Sequence, residues 1–452
     1  GWLPTRLASV PIPADGSPIF WVPWLLLPSI GPLFFAVAAQ APLMQRWFGL
    51  AGNSGEPYAL YAASNLGSFG GLIAYPLLVE PILPIKAQTW MWSGLYALLF
   101  LLVLVCARAI WSGRNITSEA AAPASAAPIS WRQRLYWIAL SAVPSGLMLS
   151  TTSHLTTDLM AMPLIWVIPL GLYLLSFSVA FADYRLPADI LSRIAPAILV
   201  VGGASVFMIW GKAAYNGLIV SVSLLFVLAV ALHAEMYRTR PDASRLTEFY
   251  LMMSIGGVIG GFFCAIVAPL LFNWTWEHPI LLIAAALLLP QLRLFSLGEE
   301  ATFGQRGWTI ATLVIAIAAL AIGLYIGMTF PTEGSQLKTA LIAIILIAGL
   351  VVTGRRIAFA LAVMAAMLGN GGWDNVELSS SGARLRSYFG TYTINQSEDA
   401  SVRWLSHGTT MHGMQLRDQP TLPVSYYGAT SGVGLAWQRA EELYGAGATL
   451  GV

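Results

Sequence analysis

Tyr215-Asn-Gly-Leu-Ile-Val-Ser-Val-Ser-Leu-Leu-Phe-Val-Leu-Ala-Val-Ala-Leu-His-Ala234 runs for twenty positions without an Asp, Glu, Lys or Arg. Its reading decides the fold. A helix rises about 1.5 Å per residue, so about 20 apolar residues cross the hydrocarbon core of a bilayer. The imidazole of His233 falls beside Glu235 at the far end of this run, where snorkelling is expected to carry both polar heads to the interface.

Segments of the same kind recur at 19–42, 57–82, 90–111, 135–152, 159–181 and 189–210 before it, and at 247–272, 278–296, 308–329, 337–353 and 356–369 after it. The pattern predicts a polytopic α-helical membrane protein of about twelve spans. Composition agrees: 57% of the residues are hydrophobic and 10% charged, against about a quarter charged in soluble domains, and mean hydropathy is +0.71. The expected partner is the lipid bilayer. A net charge of +2, with no basic run long enough to track a phosphate backbone, argues against nucleic acid. Cys106 and Cys264 lie inside apolar segments and read as small packed hydrophobes.

Basic residues sort by loop. Thirteen arginines, from Arg46 through Arg108, Arg134, Arg185, Arg238 and Arg245 to Arg355 and Arg356, fall on one side of the predicted spans, and only Lys86, Lys212 and Lys338 on the other. This bias places the Arg-rich loops in the cytoplasm and Gly1 outside. It also puts everything after residue 370 outside, unless 337–369 forms a hairpin-like element that does not cross twice.

Small residues and prolines at 120–128 mark 112–131 as a linker. The expected organisation is a helical bundle over 1–111, that linker, a second bundle over 132–370, and a polar module over 371–452. In the module, Leu385, Tyr388, Tyr392 and Ile394 alternate with polar residues, and Val402, Trp404 and Leu405 form a second β-rich run. The pattern predicts an antiparallel hairpin, then a helix over 430–444, then a parallel strand over 448–452.

Three sets of residues could carry chemistry in the membrane part. Thr151-Thr-Ser-His-Leu-Thr-Thr-Asp158 puts His154 and Asp158 four residues apart, on one helix face if helical. They are either a functional pair at membrane depth or an interfacial turn capping the next helix. Glu80 stands between Pro76 and Pro81 near a span end. Ser254-Ile-Gly-Gly-Val-Ile-Gly-Gly261 offers Gly257 and Gly261 as a close helix-packing stripe. In the module, His407 and His412 flank glycines in a turn that either converges on a ligand or simply exposes two imidazoles. Two histidines do not complete a zinc tetrahedron, so no metal is expected.

Arg386-Ser-Tyr-Phe-Gly-Thr-Tyr392, Leu405-Ser-His-Gly-Thr-Thr-Met-His-Gly-Met-Gln415, Pro423-Val-Ser-Tyr-Tyr427 and Ser431-Gly-Val-Gly-Leu435 resemble the start of a spermidine synthase-like domain. Ala41–Phe48, Tyr58–Gly67, Thr151–Asp158 and Leu246–Tyr250 resemble the membrane stretches of the bacterial fused transporter/spermidine synthase family. The resemblance implies a transporter-like (MFS-type) bundle in the bacterial inner membrane, followed by the β part and first helix of a methyltransferase-type α/β domain. It implies aminopropyl transfer from decarboxylated S-adenosylmethionine to a polyamine, in polyamine biosynthesis or transport. By that resemblance His407, His412, Gln415, Tyr426 and Tyr427 would bind substrate. The family's cofactor loop and catalytic carboxylate do not occur in the sequence, and Gly428-Ala-Thr follows Tyr427 where soluble relatives carry an acidic pair. A fragment lacking both ends, with no catalytic residue of its own, is therefore expected. The alternative is a transporter or membrane scaffold with a non-catalytic binding module.

Overall fold

The computed structural model describes residues 18–50, 58–112, 129–159, 164–208, 214–241, 245–290, 304–330, 335–387, 390–397, 399–445 and 447. The predicted linker is therefore outside the described residues except at its ends, and the predicted strand 448–452 lies outside them.

The helices are α1 (Pro18–Leu50), α2 (Tyr58–Ala74), α3 (Glu80–Ile82), α4 (Ile85–Ser112), α5 (Trp131–His154), α6 (Val167–Ala180), α7 (Leu186–Ala204) and α8 (Ala214–Arg238). They continue as α9 (Leu246–Phe262), α10 (Ala268–Leu271), α11 (Glu277–Leu288), α12 (Gly304–Thr329), α13 (Gln336–Val351), α14 (Arg356–Met367) and α15 (Trp373–Ser380). Eight helical stretches among the described residues are long and apolar enough to cross a membrane, and three shorter apolar helices accompany them. The protein is built for a bilayer. Phe34, Phe35, Leu77, Leu102 and Val105 point outward, as lipid-facing side chains must when the solvent is hydrocarbon.

Helix α5 packs against α6, α8, α9 and α11 at the centre of the bundle, although its serines and threonines make it less apolar than those neighbours. Those hydroxyls bond to neighbouring backbones: Ser141 donates to Met253 O at 2.7 Å and Ser145 to Gly257 O at 2.9 Å, both on α9. The contact is close because glycines face it. A Cβ on Gly256 would lie 2.4 Å from Ile138 O, and one on Gly260 2.2 Å from Ala142 O. The packing stripe is thus Gly256/Gly260 and not Gly257/Gly261, since the face turned to α5 is set by those serine bonds.

His233 also departs from expectation. It is fully buried, stacked on Phe177 at 3.7 Å with its Nδ1 2.9 Å from Ser176 Oγ, so it does not snorkel. Tight packing of α8 on α6 holds the ring inside. Glu235, two residues on, accepts from Tyr136 at the Arg-rich end as expected.

The two ends of the bundle differ in chemistry. At one, Arg134 pairs with Glu248 at 2.6 Å, Arg238 with Asp189 at 2.9 Å, and the Arg185 and Arg240 guanidiniums lie over Tyr237. At the other, three helices running the same way each loosen into a π-helical stretch, Tyr75–Val79, Leu155–Leu159 and Phe263–Val267, and a fourth breaks within Leu368–Gly372 at a kink where Asn370 and Gly371 (φ +99°) leave helical geometry. Contacts tie these stretches to one rim. Gly171, near the start of α6, abuts Phe69 and Leu72 of α2; Trp274 bonds Asp158; and Phe207, against Gly371, stacks on Trp274.

The polar module sits on that rim. It is a four-stranded antiparallel meander, β1 (Arg384–Ser387), β2 (Gly390–Gln396), β3 (Val402–His407) and β4 (Thr410–Leu416), in the order β1-β2-β3-β4. The predicted hairpin is its β2–β3 pair, in which Ile394 faces Leu405 and Tyr392 faces His407. The predicted helix appears as two short ones, α16 (Gly432–Gln438), capped by Ser431, and α17 (Ala440–Tyr444).

Candidate functional site

Beyond His154 the chain of α5 continues as a π stretch, which keeps Asp158 on the imidazole's side. His154 Nδ1 lies 2.9 Å from Asp158 Oδ2. The carboxylate also accepts from Trp274 Nε1 at 3.3 Å and Thr275 Oγ1 at 3.4 Å, both in the connection between α10 and α11. The His154 ring stacks on His278 at 4.8 Å, nearly parallel, and His278 Nδ1 lies 3.1 Å from Ser150 Oγ. His278 Nε2 and Thr151 Oγ1 are buried with no hydrogen-bond partner among the described residues.

Glu277 opens α11, where the helix N-terminus favours a carboxylate. Its side chain is 1% exposed and meets Arg386 of β1 bidentately, at 2.7 and 2.8 Å. Arg386 also donates to Trp274 O at 2.9 Å. Because side chains alternate along a strand, Arg384 points the same way. It donates to Asn375 Oδ1 at 2.7 Å and lies over the Trp274 ring at 4.9 Å. Burial lowers the Arg384 pKa, partly opposed by the nearby Asp158 charge.

These contacts seat the sheet over a cavity of about 450 Å³. Its bundle wall contains Ser153, Thr156, Thr157 and Thr275 over an apolar patch of Cys264, Ala265 and Pro269; its sheet wall contains Arg386, Thr391, His407 and Thr410. Two glycines make the fit possible. Gly408, in the β3–β4 turn at φ +58°, rests against the chain of α5: a Cβ there would stand 2.6 Å from Thr157 O. Gly390, at φ +138°, abuts the Nε2 edge of the His407 ring, where a Cβ would meet Nε2 at 2.1 Å. The His407 ring in turn stacks on Tyr392 at 4.7 Å.

The expected residues are distributed unevenly. His154 and Asp158 are a real pair beside the cavity, and His407 lines it. His412 lies 5.7 Å from His407 ring to ring, and its carbonyl accepts from the Tyr426 hydroxyl, which packs against Tyr427 at 4.5 Å. Desolvation first, then Tyr427, raises the Tyr426 pKa. Gln415 is exposed and turned away from the cavity, its amide donating to Pro420 O at 3.2 Å. His407 and His412 belong to strands, and the turn between them is Gly408-Thr409. Glu80 is at the start of α3, apart from this group.

Sequence reasoning did not select Trp274, Thr275, Glu277, His278 or Arg386. A signal existed for three of them: Glu277-His278 is a polar step into an apolar run, and Arg386 opens the quoted β motif. Among the described residues no three His, Cys, Asp or Glu side chains come together as a metal-holding group. No protein-family model, curated protein or solved structure matches the chain.

Proposed function

We propose that this is a multi-pass, transporter-like membrane protein of about twelve spans whose C-terminal sheet is a binding module, closing a small-molecule site on the extracytoplasmic face of the bacterial inner membrane. The observation that carries the reading is the Glu277–Arg386 clamp, which fastens a polar sheet across a cavity at the mouth of the bundle. The cavity falls within the few hundred Å³ usual for small-molecule sites. The side follows from charge: the sheet sits at the end remote from the Arg-rich loops, and those loops mark the cytoplasm.

The test is access. With Cys106→Ser and Cys264→Ala as background, Thr410→Cys at the cavity rim reacts with a membrane-impermeant thiol reagent added to intact cells. Reaction only after permeabilisation refutes the reading.

Aminopropyl transfer from decarboxylated S-adenosylmethionine is the second reading. The aromatic group of Tyr392, His407, Tyr426 and Tyr427 favours it, because a polyamine is attracted to aromatic faces. It needs a carboxylate base, and Asp158 and Glu277 are already engaged by His154 and Arg386. Labelled spermidine formed by the purified protein from labelled donor and putrescine decides it.

A further inference from the structure

The cavity is lined by hydroxyls, yet each charged group at its wall or beneath it already has a partner. Arg386 is held by Glu277 through both terminal nitrogens. Asp158 accepts from His154, Trp274 and Thr275. Arg384 is bound to Asn375. A charged ligand entering here would surrender its hydration without an uncommitted counter-charge among the described residues, which is strongly unfavourable. An uncharged ligand avoids that penalty.

Hydroxyl side chains both donate and accept, so Ser153, Thr157, Thr391 and Thr410, with Thr156 and Thr275, whose hydrogens go to Thr152 O and Asp158 but whose lone pairs still accept, match a molecule whose own groups do the same. The remaining wall features are an imidazole backed by Tyr392 and the apolar patch at Cys264, Ala265 and Pro269. An aromatic platform beside many hydroxyls suits a compact ring with an apolar face and a polar rim. We propose that the cavity binds an uncharged, hydroxyl-rich small molecule of the monosaccharide or cyclic polyol class, with His407 as the platform. This rests on the reading of the cavity as a small-molecule site.

The experiment uses the full chain in the Thr410→Cys background and follows the rate of thiol modification in the presence of single probes. The neutral set is D-glucose, D-galactose and myo-inositol; the charged set is putrescine, glutamate and inorganic phosphate. At saturation at least one neutral probe slows modification by about tenfold, and the charged probes leave the rate within about twofold. In that protein His407→Ala raises the probe concentration needed for half-protection by about tenfold, as expected for loss of about 1.4 kcal/mol. His407→Phe, which keeps an aromatic ring against Tyr392, holds the half-protection concentration within about twofold of the parent and guards against a folding artefact in the first variant.

Protection by a charged probe alone overturns the ligand class and leaves the site standing. A cysteine that reacts freely with every probe present overturns the ligand class. A cysteine that no impermeant reagent reaches overturns the site reading beneath it.

Discussion

Arg386→Met isolates the clamp between sheet and bundle. At the observed separations of 2.7 and 2.8 Å, and with an effective dielectric of about 20, the attraction between the two charges is about 6 kcal/mol. Desolvation of two nearly enclosed ions offsets most of it, so the intact pair contributes little net stability. Removing one partner is different. The Glu277 carboxylate is 1% exposed, and left alone it costs about 3–5 kcal/mol. Since about 1.4 kcal/mol is a factor of ten, amide exchange in β1 through β4 should quicken by between about 10² and about 4 × 10³ if the sheet lifts as a unit. The assay is hydrogen exchange of the full chain in detergent, with the bundle helices as internal reference. The double replacement Glu277→Leu with Arg386→Met removes both charges and should recover all but about 1 kcal/mol of the loss. A double variant as labile as the sum of the single ones, or an Arg386→Met sheet that exchanges like the wild type, refutes the clamp.

Gly260→Ala places a Cβ against the backbone of α5 and should cost about 1–3 kcal/mol in thermal unfolding, whereas Gly261→Ala, whose nearest neighbour is Leu149 Cδ1 at 3.9 Å, should stay within about 0.5 kcal/mol. Equal effects would mean that the α5–α9 face is misassigned. Asp399 accepts from the Ser397 and Ser401 hydroxyls at 2.6 and 2.8 Å and from the Ser401 amide, which lower its pKa to about 2. A lowered folded value means the turn is stabilised above the unfolded value of about 4 and loses that support as pH falls through about 2. NMR titration of the Ser401 amide checks this, and Asp399→Asn should flatten the response. Ser401→Cys and Ser130→Cys should label from opposite sides of the membrane; labelling from one side would break the proposed topology.

The membrane part is legible because hydrocarbon leaves a helix few alternatives: long apolar runs such as Tyr215–Ala234 announce themselves locally. Even α5, diluted by serines, can be read as a span, although nothing local says that Ser141 and Ser145 will meet α9. The glycine stripe shows the limit. The run 254–261 contains the four-residue spacing in two registers, and only the neighbour's position chooses Gly256/Gly260. His154 and Asp158 are visible because their partnership is four residues long. Trp274 and Thr275 reach Asp158 across more than a hundred residues, and Arg386 reaches Glu277 across a similar gap; such meetings leave no periodic trace. His233 escapes a local reading because the end of an apolar run need not lie near water when a neighbouring helix covers it.

The π-helical stretches along the sheet-bearing rim have a mechanical consequence. Each adds a residue to one turn, loosens the local ladder and rotates the chain beyond it relative to the helix before it. With three of them and the Asn370–Gly371 kink on one side and tight ion-paired helix starts on the other, the bundle is stiff at its base and pliant at its lip. The sheet, joined to α15 through Gly382 at φ +75° and tied down by Arg386, is thus carried on the looser end while the root of the bundle stays still.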